Sequence, residues 1–518
     1  MKSLISLSSL LLLTSASPIF DPDFSAASIH SSAAPVLSSI NAKEVPNSYI
    51  VVFKKHVSSS VAAAHHTWVN DLHLSSLSAK KKKRDHQLPL GLDDLGVGAY
   101  EGLKHTFEFG GSLLGYSGHF DEDVIEQVRR HPDVDYIEKD SEVHTMEDTT
   151  PETPVSTASL EKNAPWGLAR ISHRDSLTFG TFNKYLFATE GGEGVDVYVI
   201  DTGTNVNHVD FEGRAHWGKT IPVGDADVDG NGHGTHCSGT VAGKKYGVAK
   251  KANVHAVKVL RSNGSGTMSD VVKGVEWAAE AHVKAVKEAK EGKKKGFKGS
   301  TANMSLGGGK SVTLDRAVNA AVELGIHFAV AAGNDNADSC NYSPAAAENA
   351  VTVGASTLGD ERAYFSNYGE CNDIFAPGLD ITSTWIGSNY AVNTISGTSM
   401  ASPHIAGLLA YFLSMQPAAD SEFAVPEITP AELKANIIAI GTNGALTDVP
   451  KNTANVLAWN GGGSDNYTEI IGKGGFAVKN VADSGLGKFE DMVDSFEEKA
   501  IDGIRAIYEE IKDAVPKY

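Results

Sequence analysis

The sequence predicts an α/β protein with a mainly parallel sheet, preceded by a small, separate α+β unit. Three observations carry this expectation. Between residues 160 and 460, β-branched strands alternate with segments of helical length and spacing, which is the pattern of a parallel sheet covered on both faces. Ahead of that region, residues 46–140 read in the order β-α-β-α-β, an order of the ferredoxin-like kind. Between the two, Thr149–Ser159 is rich in Thr, Pro and Ser, which marks a linker and a plausible processing zone.

The elements follow in order. Ser48–Lys54 (SYIVVFK) reads as a strand and Val57–Leu72 as a helix, with Lys80–Arg84 (KKKKR) in a polar connection. His105–Phe120 offers strand material around Gly110-Gly111, Glu122–Arg130 has helical spacing, and Val134–Glu138 is a strand. In the larger region, Val195–Ile200, Val254–Leu260, Ala302–Leu306, Ile326–Ala332 and Val351–Ala355 read as strands, and Ser269–Lys290 and Leu314–Gly325 as helices. In such sheets chemistry gathers at the C-terminal ends of the strands. Beyond Gly461-Gly462-Gly463 the core pattern stops, and Glu490–Val515 reads as an acidic amphipathic tail helix within a 461–518 tail.

Composition narrows the class. The 518 residues carry 45 basic and 64 acidic side chains, a net charge of −19, which argues against nucleic acid as a partner. Lys2, the apolar run Leu4–Leu13 and Thr14-Ser15-Ala16 form a signal-peptide pattern over residues 1–16. No other stretch is long and apolar enough to span a bilayer. Export permits a disulfide among Cys237, Cys340 and Cys371, and the odd number leaves one thiol over. Four Asn-x-Ser/Thr sequons stand at Asn263, Asn303, Asn341 and Asn466.

Three segments carry the chemistry. Asp201 directly follows the strand Val195–Ile200, His233 stands among small residues in Gly230–Gly239 (GNGHGTHCSG), and Ser399 lies in Ser396–His404 (SGTSMASPH), which opens a helix. A serine hydroxyl is a poor nucleophile until a base lies within hydrogen-bond reach and a third group orients that base; Asp, His and Ser supply those roles. At a helix start, free backbone N–H groups also favour developing negative charge. Pro403 cannot donate the helical bond to the Ser399 carbonyl, a departure from local preference that fits either a functional site or a kinked core helix. His236 and His404 lie one turn into helices, so they read as buried, hydrogen-bonded residues and His233 as the base. Asp201-Thr202-Gly203 also matches an aspartic-protease signature, with Asp483-Ser484-Gly485 as its partner. That chemistry needs a two-lobed β frame, and the second motif lies in a polar, Gly-rich tail without strand character. A protease-like scaffold acting only as a binding protein is the other alternative, and the complete triad speaks against it.

These segments, with Ala164–Arg170 (APWGLAR), Gly264–Met268, Ser305–Gly309, Val330–Asn334 and Phe365–Gly369, resemble the subtilisin-like serine proteases of peptidase family S8, most closely the proteinase K and cerevisin branch. The Asp–His–Ser order is that of subtilisin itself. The resemblance spans roughly residues 160–460 and implies a subtilisin-like three-layer fold and a serine endopeptidase of broad specificity. Residues 17–150 would be a pro-segment, with 46–140 an intramolecular inhibitor and folding aid. Asn334 would be an oxyanion-hole donor. Gly264, Ser265 and Gly266, with Ser305, Leu306, Gly307 and Gly308, would pair with an extended peptide as an added strand. Ala331, Ala332 and Gly333 would help wall an open pocket that accepts apolar or aromatic side chains. Asn303 shares a strand with these residues, so its sequon reads as buried, leaving Asn466 and Asn263 as the glycosylation candidates.

The resemblance further implies a Cys340–Cys371 disulfide with Cys237 a buried thiol near His233. It implies no cofactor for catalysis, but a structural calcium on Asp373 and the backbone carbonyls of Glu348 and Ala350; proteinase K-like enzymes carry a proline where Glu348 stands. Partners would be protein and peptide substrates and the chain's own pro-segment, with a monomeric state. Trp166–Arg174 (WGLARISHR) resembles the vacuolar branch, so the vacuole is the expected destination, with the extracellular space as the alternative.

Overall fold

The computed structural model describes residues 33–38, 42–84, 102–146, 161–421 and 428–478. The signal-peptide pattern, the linker Thr149–Ser159, Asp483 and the tail helix all lie outside them.

The first unit is a sheet of four antiparallel strands, with the two-residue strand Val36–Leu37 added parallel to the last of them, backed by two helices. Its elements are β1 (Glu44–Phe53), α1 (Ser59–Arg84), β2 (Gly102–Phe109), β3 (Leu113–His119), α2 (Glu122–Val128) and β4 (Val134–Thr145), in sheet order β4-β1-β3-β2. Two expectations change here. The stretch around Gly110-Gly111 becomes a hairpin, because both glycines take positive φ (50° and 87°), which suits the tight turn between twisted strands. Lys80–Arg84 does not lie in a connection: it is the last turn and more of α1, which runs on because no Gly or Pro interrupts it and Ala and Lys are good helix formers. The sheet closes one face over Val51, Val69, Tyr116, Phe120, Val124 and Ile137.

The second unit is a three-layer α/β domain. Its parallel strands are β5 (Val195–Asp201), β6 (Ala215–Thr220), β7 (Asn253–Lys258), β9 (Gly299–Met304), β11 (His327–Ala331), β12 (Val351–Ser356) and β13 (Ile374–Pro377). They are ordered β13-β12-β11-β9-β5-β7-β6. Strand β6 and strand β13 escaped the sequence reading, since neither has a β-branched run of any length. Two short strands outside this sheet, β8 (Ser265–Thr267) and β10 (Leu306–Gly309), face the first unit.

Helices α4 (Met268–Lys290) and α5 (Val312–Glu323) cover one face of the parallel sheet, and α3 (His233–Ala242), α6 (Thr398–Ser414) and α7 (Pro430–Ile440) the other. Every residue of α6 is buried, as an all-round apolar helix requires. The core on the α4/α5 face continues into the first unit through Ile50, Val52, Phe107, Phe109, Leu113 and Tyr136, so the small sheet packs on those two helices. Cys340 and Cys371 form a disulfide and Cys237 is a free, buried thiol.

Candidate functional site

Asp201, His233 and Ser399 come together at the C-terminal edge of the parallel sheet. Asp201 is the last residue of β5, His233 the first of α3, and Ser399 the second of α6. The His233 Nδ1 lies 2.8 Å from Asp201 Oδ1. That approach depends on Gly234, where a Cβ would meet the Gly203 carbonyl oxygen at 2.1 Å. The loop before α3 is held by Asp229, a residue the sequence reading passed over. Its carboxylate accepts from Thr202 Oγ1 and from the backbone N–H groups of Asn231, Gly232 and Thr235 at 2.9–3.0 Å. An anion at a helix N-terminus is favoured by the free N–H groups there.

Burial disfavours the imidazolium of His233, but the Asp201 carboxylate outweighs it and holds the pKa well above the ordinary histidine value. The other two histidines behave differently. His236 Nε2 donates to the Ile381 carbonyl at 2.9 Å, and burial lowers its pKa to about 3. His404 donates to the Met400 carbonyl at 2.8 Å, and burial lowers its pKa to about 4. Both are neutral, buried, structural groups.

Ser399 is held in a resting arrangement. Its hydroxyl donates to the Ser305 carbonyl at 2.9 Å, while His233 Nε2 has no partner among the described residues. The Ser399 carbonyl, which Pro403 leaves without its helical donor, accepts from Ser305 Oγ at 2.7 Å and from Cys237 Sγ at 3.5 Å. Asn334 Oδ1 accepts from the Thr398 N–H and hydroxyl at 2.9 and 2.8 Å, which fixes the amide. Its Nδ2 is buried with no partner among the described residues. A buried donor without an acceptor is costly and suits a group that receives its acceptor from outside.

Strand β4 runs between β8 and β10. Glu142, Val143 and His144 pair antiparallel with Thr267, Gly266 and Ser265, and Thr145 and His144 with Leu306 and Gly307. The Thr145 N–H also donates to the Gly264 carbonyl at 3.1 Å. The glycine-bearing strands are therefore brought together around a peptide that belongs to the same chain. Met146, which the sequence reading did not single out, is the next residue along that peptide. Its Cε would lie 2.4 Å from a Cβ on Gly307, so the glycine makes room for the thioether. A Cβ on Gly397 would lie 2.3 Å from the Met146 carbonyl oxygen and 3.1 Å from Asn334 Nδ2. One small space next to Gly397 and Ser399 thus holds both that carbonyl and the unpartnered donor. Asp201, His233 and Ser399 are all fully covered.

Ala331 ends β11, and Ala332 and Gly333 follow it; the Gly333 N–H donates to Thr398 Oγ1 at 3.1 Å, which ties this wall to the serine loop. Asn303 is fully buried, Nδ2 donating to Ser305 Oγ and Oδ1 accepting from Ser402, whereas Asn263 and Asn466 are exposed. The calcium expectation needs correction. The carbonyls of Glu348 and Ala350 do converge with Asp373, but Lys434 Nζ sits among them, at 2.9, 2.6 and 2.8 Å. The residues present do not fit a calcium ion there.

A serine, an imidazole held by a carboxylate and a waiting amide donor on an α/β frame define a serine hydrolase of the acyl-transfer kind. Residues 192–456 match the Subtilase family and residues 48–146 the Peptidase inhibitor I9 family. The chain is 68% identical over 515 residues to "Alkaline protease 2" of Aspergillus fumigatus, with 99% of each chain covered. It is 71% identical over 476 residues to "Subtilisin-like serine protease Pen c 2" of Penicillium citrinum, covering 92% of this chain and 100% of the relative. A crystal structure of a cold adapted subtilisin-like serine proteinase aligns with a TM-score of 0.50 at 43% identity, over 57% of this chain and 98% of that one. The chain belongs to the subtilase family. It is a subtilisin-like serine protease that carries an inhibitory pro-segment, and so a zymogen.

Proposed function

We propose that Ser399 is the nucleophile, His233 the base and then the acid, Asp201 the orienting carboxylate, and Asn334 Nδ2 with the Ser399 N–H the oxyanion donors of an endopeptidase. The observation that carries this reading is the pairing of a fixed His233–Asp201 contact with an unpartnered Asn334 Nδ2 beside a peptide carbonyl.

Ser399 Oγ turns from the Ser305 carbonyl to His233 Nε2 and adds to the carbonyl carbon, giving its proton to Nε2. The oxyanion takes the two donors. The C–N bond breaks as Nε2 returns the proton to the leaving amine, and water then hydrolyses the acyl-enzyme with His233 again as base. Substrate is gripped largely through backbone pairing with β8 and β10, which reads no side chain and supports broad specificity.

Ser399→Ala should abolish turnover and labelling by a fluorophosphonate probe while leaving the fold unchanged. Loss of the serine costs about 10⁶ in kcat in subtilisin itself, the source of that magnitude. A purified variant with wild-type turnover would overturn the assignment.

The Met146 carbonyl beside the oxyanion donors makes the bond after Met146 the first one cut. N-terminal sequencing of the freshly processed enzyme should therefore begin at Glu147. A first product that began elsewhere, collected before further trimming, would contradict it.

Among the described residues no helix is long and apolar enough to cross a membrane. The vacuolar expectation draws no support from the relatives. The word "alkaline" in the name of the Aspergillus relative fits the cell exterior better than an acidic compartment, so export through the secretory route to the exterior is the reading we favour. Fractionation of cells and medium with an antibody decides it. Asn466, exposed at the start of a short helix, and Asn263 remain the proposed glycan sites.

A further inference from the structure

Lys434 occupies a seat built for a cation. Three oxygens from two segments converge on one point: the carbonyls of Glu348 and Ala350, just before β12, and the carboxylate of Asp373, just before β13. Lys434 Nζ stands at that point, 2.9 Å from the first, 2.6 Å from the second and 2.8 Å from Asp373 Oδ2. An ammonium has three protons and no acceptor, so all three are used and the coordination is complete.

The geometry is held from both sides. The Asp373 N–H donates to the Thr352 carbonyl at 3.0 Å, and Asp373 Oδ2 accepts from the Thr352 N–H at 2.8 Å, which pins the carboxylate to β12. On the other side, α7 is started by a reciprocal cap between Thr429 and Glu432 and anchored by Leu433, Ile437 and Ile440 in the core. Lys434 follows Leu433 directly, so the phase of the helix sets where its side chain leaves the backbone. Both charged side chains are only 19% exposed, so neither would be left there without its partner at small cost.

Calcium requires six to eight oxygens at about 2.3–2.6 Å. It would have to displace a tethered ammonium that already takes the three inner oxygens. We propose that Lys434 is the resident cation of this site, a covalently attached substitute for the metal ion, which ties α7 to the starts of β12 and β13 at every calcium concentration. A bound metal stabilises by mass action and is lost on chelation; a lysine in the same seat is always present.

The test is a set of thermal melts of the full chain carrying Ser399→Ala, which keeps self-digestion out of the measurement. With Lys434 intact, Tm should be the same in chelator and in millimolar calcium. Lys434→Ala should lower Tm by several degrees in chelator, and calcium should recover part of the loss, a recovery absent when Asp373→Asn is added. The proposal is overturned if calcium raises Tm of the lysine-containing protein and Asp373→Asn removes that rise. It is overturned equally if Lys434→Ala melts unchanged in chelator, or if its Tm is indifferent to calcium. A rise that survives Asp373→Asn belongs to another site and leaves the lysine in its seat. Should Lys434→Ala not fold, the calcium comparison on the lysine-containing protein and its Asp373→Asn control decides alone.

Discussion

A proline four residues after Ser399 removes one helical hydrogen bond, and the protein redistributes what is freed. The Ser399 carbonyl takes Ser305 Oγ and Cys237 Sγ, while Ser399 Oγ gives its proton to the Ser305 carbonyl. Two serines thereby exchange hydrogen bonds, and the Ser399 hydroxyl is held next to β10. Cys237, buried under His233 with its pKa raised by burial, is a neutral thiol that shares this carbonyl. Asn334 is the complementary case, with one end of its amide anchored on Thr398 and the other waiting. Asn334→Asp keeps an oxygen for Thr398 but removes the donor. It should lower kcat by about 10²–10³ with little change in KM, the magnitude being that of the same kind of loss in subtilisin. Steady-state kinetics on a peptide substrate check it, and a change confined to KM would refute the oxyanion role.

Among the elements, β4 does more than fill the cleft. Asp140 accepts from the Ser269 N–H at 3.1 Å and its hydroxyl at 2.7 Å, at the start of α4. Glu138 accepts from the Thr313 N–H at 2.9 Å and its hydroxyl at 2.7 Å, at the start of α5. Two buried carboxylates on one strand thus meet the positive ends of two helices. A hydrogen bond to a charged group contributes about 1.5–3 kcal/mol. Asp140→Ala or Glu138→Ala in the separately produced pro-segment should therefore weaken inhibition of the processed enzyme by about ten- to a hundredfold. Equal inhibition constants for the variants and the parent would show that strand pairing alone provides the affinity. The strand was legible in the sequence only to Glu138, because its β-branched and aromatic run ends there. The residues beyond it, Lys139–Thr145, are polar but for Val143 and become strand through partners that lie far along the chain.

At the scale of the molecule, buried histidines set the acid limit. Burial lowers His65, His236 and His327 to about 3 and His282 and His404 to about 4, from an ordinary 6.5. Each folded value lies below the unfolded one, so the unfolded chain binds more protons in acid. The stability these groups contribute is full above about pH 6.5 and is lost as pH falls towards 3. His233 runs the opposite way: its raised pKa adds stability below 6.5 that is lost as pH rises through the folded value. Five groups outweigh one, so the Tm of the Ser399→Ala chain should fall between pH 7 and pH 4; a flat profile would rule this out.

How much could be read in advance follows from how far apart the partners lie. Asp201, His233 and Ser399 announce themselves because each sits in a short motif whose neighbours chemistry dictates. The parallel strands with apolar runs, such as Val195–Asp201, are equally plain. Lys434 could not be read, since its three acceptors lie 61 to 86 residues away and two of them are backbone. Met146 was hidden for the same reason: nothing local distinguishes it, and only the fold brings it to Gly307.

The insertion of β4 between β8 and β10 has a kinetic side. Cutting one covalent bond after Met146 removes none of the pairing that holds Glu142–Thr145 in place. With that pairing intact the two pieces stay together as a non-covalent complex, and the lifetime of that complex adds to the delay before activity. Each molecule that loses its partner first can digest the partners of others, so the delay shortens as concentration rises and the population switches on together.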